Sequence, residues 1–379
     1  MGDRHAMDFS ALGLAPNLLE NISKAGYETP TPIQCEAIPQ VLAKRDVLAL
    51  AQTGTGKSAA FTLPILQQLD RHPIPKRARR WVRTLVLTPT RELTQQVAET
   101  FRQLSAGMRI RVAVIVGGVS SKRQIAELDA GVDVVVATPG RLLDLLGQRQ
   151  LDLRDVEVCV LDEADQMLDM GFLPDIRKII RLLPEEKQSL MFSATMPQEI
   201  GRLADDLLRR PVKIRLAPQG TSADNIQQSV YHVEGAEKSA TLTELLTTRP
   251  PGPTLVFVGT RRGVDMVTRR LGKAGIPVGA LHGDKSQSVR QKTLARFKAG
   301  EIDTLVATDI AARGIDIASI ELVVNFDLPA EPETYIHRIG RTARAGASGE
   351  AISFCAPHER HRLKRIERHL KKQIPAVNS

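Results

Sequence analysis

Short runs of β-branched and aliphatic residues alternate with helical stretches along almost the whole chain. In the first half the runs are Val47–Ala51, Thr84–Thr88, Arg111–Val116, Asp133–Thr138, Val156–Asp162 and Ser189–Ala194. In the second half they are Thr254–Val258, Val278–His282, Thr304–Thr308, Leu322–Asp327 and Ala351–Phe354. Runs of this kind, with helices between them, make parallel sheets covered on both faces. The expected class is therefore α/β, with each sheet mostly parallel and flanked by helices. A length of 379 residues favours about two domains. The segment 217–225 is poor in apolar residues and rich in turn formers, which predicts a linker between domains at 1–216 and 226–379. The repeats Thr84-Leu85-Val86, Thr254-Leu255-Val256 and Thr304-Leu305-Val306 hint that the two halves are copies of one unit.

Composition narrows the class of partner. No apolar run approaches the ~18 residues of a membrane helix, and the stretch Met1 to His5 has no apolar signal region, so the cytoplasm is the expected location and no membrane partner is expected. Cys35, Cys159 and Cys355 are far apart in apolar contexts and read as buried hydrophobes in a reducing compartment. The net charge of +9 is concentrated: residues 71–83 carry six basic and no acidic side chains, and 358–372 carry seven basic and two acidic ones. A polyanion partner fits that distribution, provided specific grooves add to diffuse charge. His358, His361 and His369 near Glu359 lack the spacing of a zinc helix and lie in a basic segment, so no structural metal is expected there.

The chemistry is carried by residues placed just after strands, where open α/β sheets bind ligands. Ala51-Gln52-Thr53-Gly54-Thr55-Gly56-Lys57-Ser58 follows a strand and opens a helix. Glycines let backbone N–H groups wrap a phosphate, a lysine reaches the β and γ phosphates, and a hydroxyl ligates magnesium. Ala51 stands where such loops usually begin with glycine. The strand Val158–Leu161 then ends in Asp162 and Glu163. Asp162 suits a position near Mg2+, together with Ser58, and Glu163 suits the group that orients and deprotonates an attacking water. A third element, His337 to Arg344, holds arginines 338, 341 and 344 with no acid among them. Such arginines repel one another unless an anion neutralises them, and an arginine at a γ phosphate offsets transition-state charge.

At this point the residues resemble the DEAD-box RNA helicases over almost the whole chain. Asp162-Glu163-Ala164-Asp165 matches the naming motif. Around it, in family order, stand Gly26 to Gln34, the phosphate loop, Pro89 to Leu93, Gly117-Gly118, Thr138 to Arg141 and Ser193-Ala194-Thr195. They are followed by His282-Gly283-Asp284, Gln287 to Arg290, Ala307 through Asp316, and His337 to Arg344. The texture is similar to bacterial members, of the RhlE-like branch. The resemblance implies two tandem RecA-like domains with ATP and RNA in the cleft between them. It gives Gln34 to adenine recognition, Tyr27 and Phe9 to the base pocket, and Asp316 to the ribose. Lys57, Asp162, Glu163, Arg341 and Arg344 would form the catalytic set. Ser193, Thr195 and His337 would couple ATP to RNA. RNA would be held by Thr90, Arg91, Gly118, Thr138 and Arg141 in the first domain and by Thr260, Gly283, Arg290 and Thr308 in the second. Small hydroxyls, glycines and lone arginines suit phosphates and 2′-hydroxyls and read no bases, so single strands and short duplexes would be bound without sequence preference. Two departures, Thr94 after Leu93 and Ser58 closing the phosphate loop, keep the needed shape or hydroxyl. Ribosomal or RNA-turnover complexes are the expected partners. An ATP-gated RNA clamp and a DNA-directed translocase remain the alternatives to an RNA-dependent ATPase that separates short duplexes.

Overall fold

The computed structural model describes residues 8–52, 54–72, 81–216, 226–312, 320–343 and 349–377. The chain divides into two compact units, Met1–Pro218 and Gln219–Ser379; the expected linker 217–225 lies outside the described residues. Strands β1 to β7 of the first unit are Val47–Leu50, Thr84–Leu87, Val112–Ile115, Val134–Ala137, Val158–Leu161, Gln188–Ser193 and Val212–Arg215. Strands β8 to β14 of the second are Ile226–His232, Thr254–Phe257, Val278–Leu281, Thr304–Ala307, Leu322–Asn325, Gly349–Cys355 and Ala376–Val377. Every pairing is parallel.

Each sheet is buried on both faces, as its apolar runs require. In β5, Val158 and Val160 pack into one core while Cys159 and Leu161 pack into the other. In β9, Leu255 and Phe257 face one layer and Val256 the other. The eleven expected runs all become strands. Three strands were not expected: β7, β8 and β14. Each lies at or next to a sheet edge. β7 exposes Lys213 and Arg215 between its inward residues, and β8 carries Gln227, Gln228 and His232, so neither presents a continuous apolar run. Cys159 and Cys355 are buried free thiols, and burial pushes the Cys159 thiol up to about 12, where it is chemically inert.

The strand orders are β3-β4-β2-β5-β6-β1-β7 and β10-β11-β9-β12-β13-β8-β14, the same order shifted by seven. Their registers also coincide. Thr84 pairs with Val134 and Val158, and Thr254 pairs with Thr304 and Leu322. Val112 pairs with Val134, and Val278 with Thr304. Thr84 therefore corresponds to Thr254, Val112 to Val278 and Val158 to Leu322. The repeated Thr-Leu-Val of β2 and β9 marks true counterparts, whereas Thr304 begins the neighbouring strand.

The correspondence exposes where the copies diverged. Both β1 and β8 lead into a helix that opens with lysine: Lys57 in Lys57–Arg71 and Lys238 in Lys238–Thr248. Lys238 is buried, and its Nζ donates to Phe326 O at 2.7 Å, Glu359 Oε2 at 2.6 Å and Asp327 Oδ1 at 3.1 Å. Glu359 also accepts from Leu328 N and Ala356 N. The second lysine is thus consumed internally, and Glu359 turns inward rather than toward the nearby histidines. Lys238→Ala strands a carboxylate that is only 2% exposed. A loss of about 3–5 kcal/mol is expected in denaturant unfolding, and a loss under 1 kcal/mol would show that the network holds nothing together.

Candidate functional site

The first sheet sorts the candidate residues along its carboxyl edge. The loops after β1, β5 and β6 carry the phosphate loop, Asp162-Glu163 and Ser193–Thr195. The loops after β2, β3 and β4 carry Thr90-Arg91, Gly118 and Thr138-Arg141. Since β2 adjoins β5, two functional groups of residues meet at one boundary.

The phosphate loop is built around backbone that only glycine adopts cheaply. Gly54 and Gly56 have φ of 86° and 90°. A Cβ on Gly56 would sit 2.6 Å from Gln34 Nε2 and 2.9 Å from Thr31 Oγ1. Gln34 is buried; its Oε1 accepts from Thr31 N at 2.9 Å and its Nε2 donates to Gly56 O at 3.1 Å. It therefore caps the helix Pro32–Leu42 and ties that cap to the loop. Each amide end keeps capacity for one more bond, which leaves contact with a base edge open to it. Lys57 is 6% exposed and its Nζ donates to Ala51 O at 3.1 Å. Thr55 Oγ1 donates to Gln52 O, fixing the turn, and Ser58 is half-buried in the first turn of the helix. Phe9 and Tyr27 meet edge to face, with ring centroids 6.4 Å apart. Thr53 lies outside the described residues.

Asp162 and Glu163 are 2% and 3% exposed. Glu163 adopts φ 53°, ψ 54° as it opens the helix Ala164–Asp169, a left-handed conformation that costs a non-glycine residue about 1–3 kcal/mol and tends to mark functional positions. Burial pushes the Asp162 carboxyl up to about 7; Lys57 opposes the rise, and the acids Glu163 and Asp165 add to it. Among the described residues Asp162 Oδ1 is buried without a hydrogen-bond partner. A buried carboxylate oxygen without a hydrogen-bond partner, and the Ser58 hydroxyl offered by the phosphate loop, are hard oxygen donors of the kind suited to Mg2+.

Asp165 had no role in the sequence reading, yet it organises this corner. Its Oδ2 accepts from Thr195 N at 2.8 Å, Thr195 Oγ1 at 2.9 Å and Ala194 N at 3.2 Å. Its own N–H donates to Ser193 Oγ at 3.3 Å, and Ser193 Oγ donates to Thr195 O at 2.7 Å. The only available signal was its place as the last acid of the Asp-Glu-Ala-Asp stretch.

In the other loops, Thr90 caps the helix Arg91–Leu104 by accepting from Leu93 N at 3.2 Å. The unusual Thr94 is fully buried: its Oγ1 donates to Thr90 O at 2.7 Å and lies 2.7 Å from Thr88 Oγ1. It thereby braces the turn that presents Thr90. Gly118 has φ 73°, and a Cβ there would lie 2.2 Å from Arg91 Nη1, so the guanidinium rests on bare backbone. Thr138 opens the helix Pro139–Gly147, and Arg141 Nη1 donates to Val119 O at 3.2 Å.

In the second unit Thr260, Gly283, Arg290 and Thr308 follow β9, β10 and β11. Thr260 caps its helix through Gly263 N at 3.0 Å, and Arg290 Nη2 donates to Ala311 O at 3.5 Å. The basic element after β12 needs one correction. Arg338 needs no external anion: it is 3% exposed and forks onto Asp309 at 2.6 and 2.8 Å, with Asn325 Oδ1 at 3.1 Å and Asp327 O at 2.6 Å. The neutralising acid is near in space and distant in sequence. His337 is half-buried and Arg341 is 8% exposed. Asp316 and Arg344 lie outside the described residues.

Two parallel sheets of one topology, one of them bearing a phosphate loop and an acid pair, define a tandem RecA-like ATPase. Comparison with known proteins narrows the class. The DEAD/DEAH box helicase model matches residues 31–203, and the helicase conserved C-terminal domain model matches 237–346. The DEAD-box ATP-dependent RNA helicase CshA of Bacillus cereus is 43% identical, over 98% of this chain and 70% of its own. The RNA helicase CrhR of Synechocystis is 45% identical, over 97% of this chain and 73% of its own. The structure of S. cerevisiae Dbp5 bound to RNA and ADP BeF3 matches with a TM-score of 0.85 at 33% identity, covering 98% of this chain and 95% of that one. The chain belongs to the DEAD-box ATP-dependent RNA helicases, enzymes that hydrolyse ATP and act on RNA.

Proposed function

We propose that this protein couples ATP hydrolysis to RNA binding, separating short duplexes locally and non-processively or remodelling RNA–protein complexes. The observation that carries the proposal is the division of the first sheet's carboxyl edge. The phosphate loop and acid pair lie on one side of that edge and Thr90, Gly118 and Thr138 on the other, the two groups meeting where β2 adjoins β5, and Asp165 hydrogen-bonds to Ser193–Thr195.

On this reading residues 1–216 and 226–379 are the two RecA-like domains, joined by 217–225. Ala51 to Ser58 hold the phosphates of ATP, with Lys57 offsetting their charge. Phe9, Tyr27 and Gln34 hold the base, and Asp316 the ribose. Asp162 and Ser58 hold Mg2+, which would polarise the phosphates when bound. Glu163 orients the water and accepts its proton, while Arg341 and Arg344 stabilise charge at the γ phosphate. Ser193, Thr195 and His337 relay the state of the nucleotide. Thr90, Arg91, Gly118, Thr138, Arg141, Thr260, Gly283, Arg290 and Thr308 grip the RNA backbone. The setting we propose is the bacterial cytoplasm, in ribosomal or RNA-turnover complexes; the RhlE-like branch rests on sequence texture alone.

ATPase and strand-separation assays with RNA, with DNA and without nucleic acid test the reading. Stimulation by RNA is expected; equal stimulation by DNA, or turnover indifferent to both, would reject it. A sharper test uses Gly118→Ala. The new methyl must displace Arg91, so RNA affinity should fall about tenfold while ATP affinity holds. Unchanged RNA binding would remove Arg91 and Gly118 from the site.

A further inference from the structure

We infer that Gln67 is a positioning residue for adenine recognition: given Phe9 and Tyr27 as the base pocket proposed above, its side-chain amide clamps the turn behind Phe9 to the helix that opens with Lys57.

Gln67 sits in the buried face of the helix Lys57–Arg71, where Leu63, Ile65, Leu66 and Leu69 pack into the core, and it is itself only 2% exposed. A buried amide costs free energy unless its ends are bonded. Here both ends are. Gln67 Oε1 accepts from Ala15 N at 2.6 Å, and Gln67 Nε2 donates to Gly13 O at 3.0 Å. Those two backbone groups belong to the turn between the 3-10 helix Phe9–Leu12 and the helix Pro16–Lys24, which bends at Gly13 with φ 76°. Polar backbone groups at such helix ends need partners from outside the helices. One side chain, 52 and 54 positions away along the chain, supplies both.

The clamp acts on one end of the aromatic pair. Phe9 and Tyr27 flank the helix Pro16–Lys24 and meet edge to face. That helix is anchored without Gln67: Leu18 and Ile22 are buried, and Asn21 Nδ2 donates to Leu104 O at 2.9 Å and Ala106 O at 3.0 Å. Tyr27 follows the anchored helix, while Phe9 lies beyond the clamped turn. Loss of the Gln67 bonds therefore loosens Phe9 and leaves the helix docked. Gln67 also lies about 15 Å along the helix axis from Lys57. One rigid rod thus fixes the phosphate end of the nucleotide and the ring that backs its base. The neighbouring Gln68 adds to this, since its Nε2 donates at 2.8 Å to Val41 O in the helix that Gln34 caps.

The test uses the full chain with saturating RNA and measures kcat and KM for ATP and for GTP. Gln67→Leu keeps the bulk and removes both bonds. KM for ATP should rise about tenfold with kcat unchanged, the pattern of lost ground-state binding. KM for GTP should change less, so the preference for ATP falls. Ala15→Pro reaches the same bond from the other side: φ of −70° suits proline, and the substitution deletes the N–H that Gln67 accepts. It should give the same split, and it serves where Gln67→Leu fails to fold. Phe9→Ala completes the cycle. If Gln67 acts through Phe9, Gln67→Leu adds nothing to the KM of Phe9→Ala; effects that add in full would overturn the inference. So would lowered stability in denaturant with KM and the ATP preference unchanged, which is the behaviour of a structural clamp alone. If Phe9→Ala raises KM and Gln67→Leu does not, this inference alone fails; if neither raises it, the base-pocket reading itself falls.

Discussion

Glu163→Gln is expected to bind ATP with close to parental affinity and to lose hydrolysis by about two to four orders of magnitude. The amide matches the carboxylate in size, so the left-handed turn at φ 53° and the close packing around a side chain only 3% exposed persist. What disappears is a group able to take a proton from water. RNA should then be retained in the ATP-bound state, because the step that ends it is blocked. Single-turnover hydrolysis with saturating RNA gives the rate, and equilibrium nucleotide binding gives the affinity. A rate within tenfold of the parent would remove Glu163 from the base role; lost ATP binding would mean that the substitution disturbs the loop rather than the chemistry.

The second large effect is expected at Arg341. If its guanidinium offsets charge on the transferring phosphoryl group, Arg341→Ala should slow hydrolysis by about 10³-fold or more, while the first domain still binds nucleotide. Arg338, three residues earlier, is the internal comparison. Its fork onto Asp309 and its bonds to Asn325 and Asp327 are buried, so Arg338→Ala should cost about 3–5 kcal/mol of stability. Denaturant unfolding and kcat, measured on both variants, separate the roles. Loss of stability without loss of rate at Arg341 would make it a second structural arginine.

Those two arginines show where sequence reasoning stops. Within His337 to Arg344 all three guanidinium groups look alike, and their mutual repulsion calls for an anion. Nothing in the local sequence says that Asp309, before β12, supplies one for Arg338. Lys238 is a similar case: as a lone lysine at a helix start it is unremarkable, but the fold closes Asp327 and Glu359 around it. Asp165 stands in a motif with no local task, because its partners Ser193, Ala194 and Thr195 lie at and just beyond the end of the next strand. Gln34 takes its expected role from the family resemblance, and the structure adds the contact with the phosphate loop that its position enforces.

The alternation of apolar runs with helical stretches pointed by itself to parallel sheets covered on both faces, because helices returning between the strands cover a sheet whose strands are apolar on both sides. The order of glycines, lysine and paired acids likewise announced a phosphate site, since each residue type has a local backbone or chemical reason to be there. The strands at one end of each sheet, β7, β8 and β14, escaped notice, because a strand at or next to an open edge need not be apolar throughout. What only the tertiary structure decided is which charges are already satisfied. Charge pairing is a matter of distance in space, and parallel strands bring together residues separated by dozens of positions along the chain. The strand register then makes the two halves comparable residue by residue.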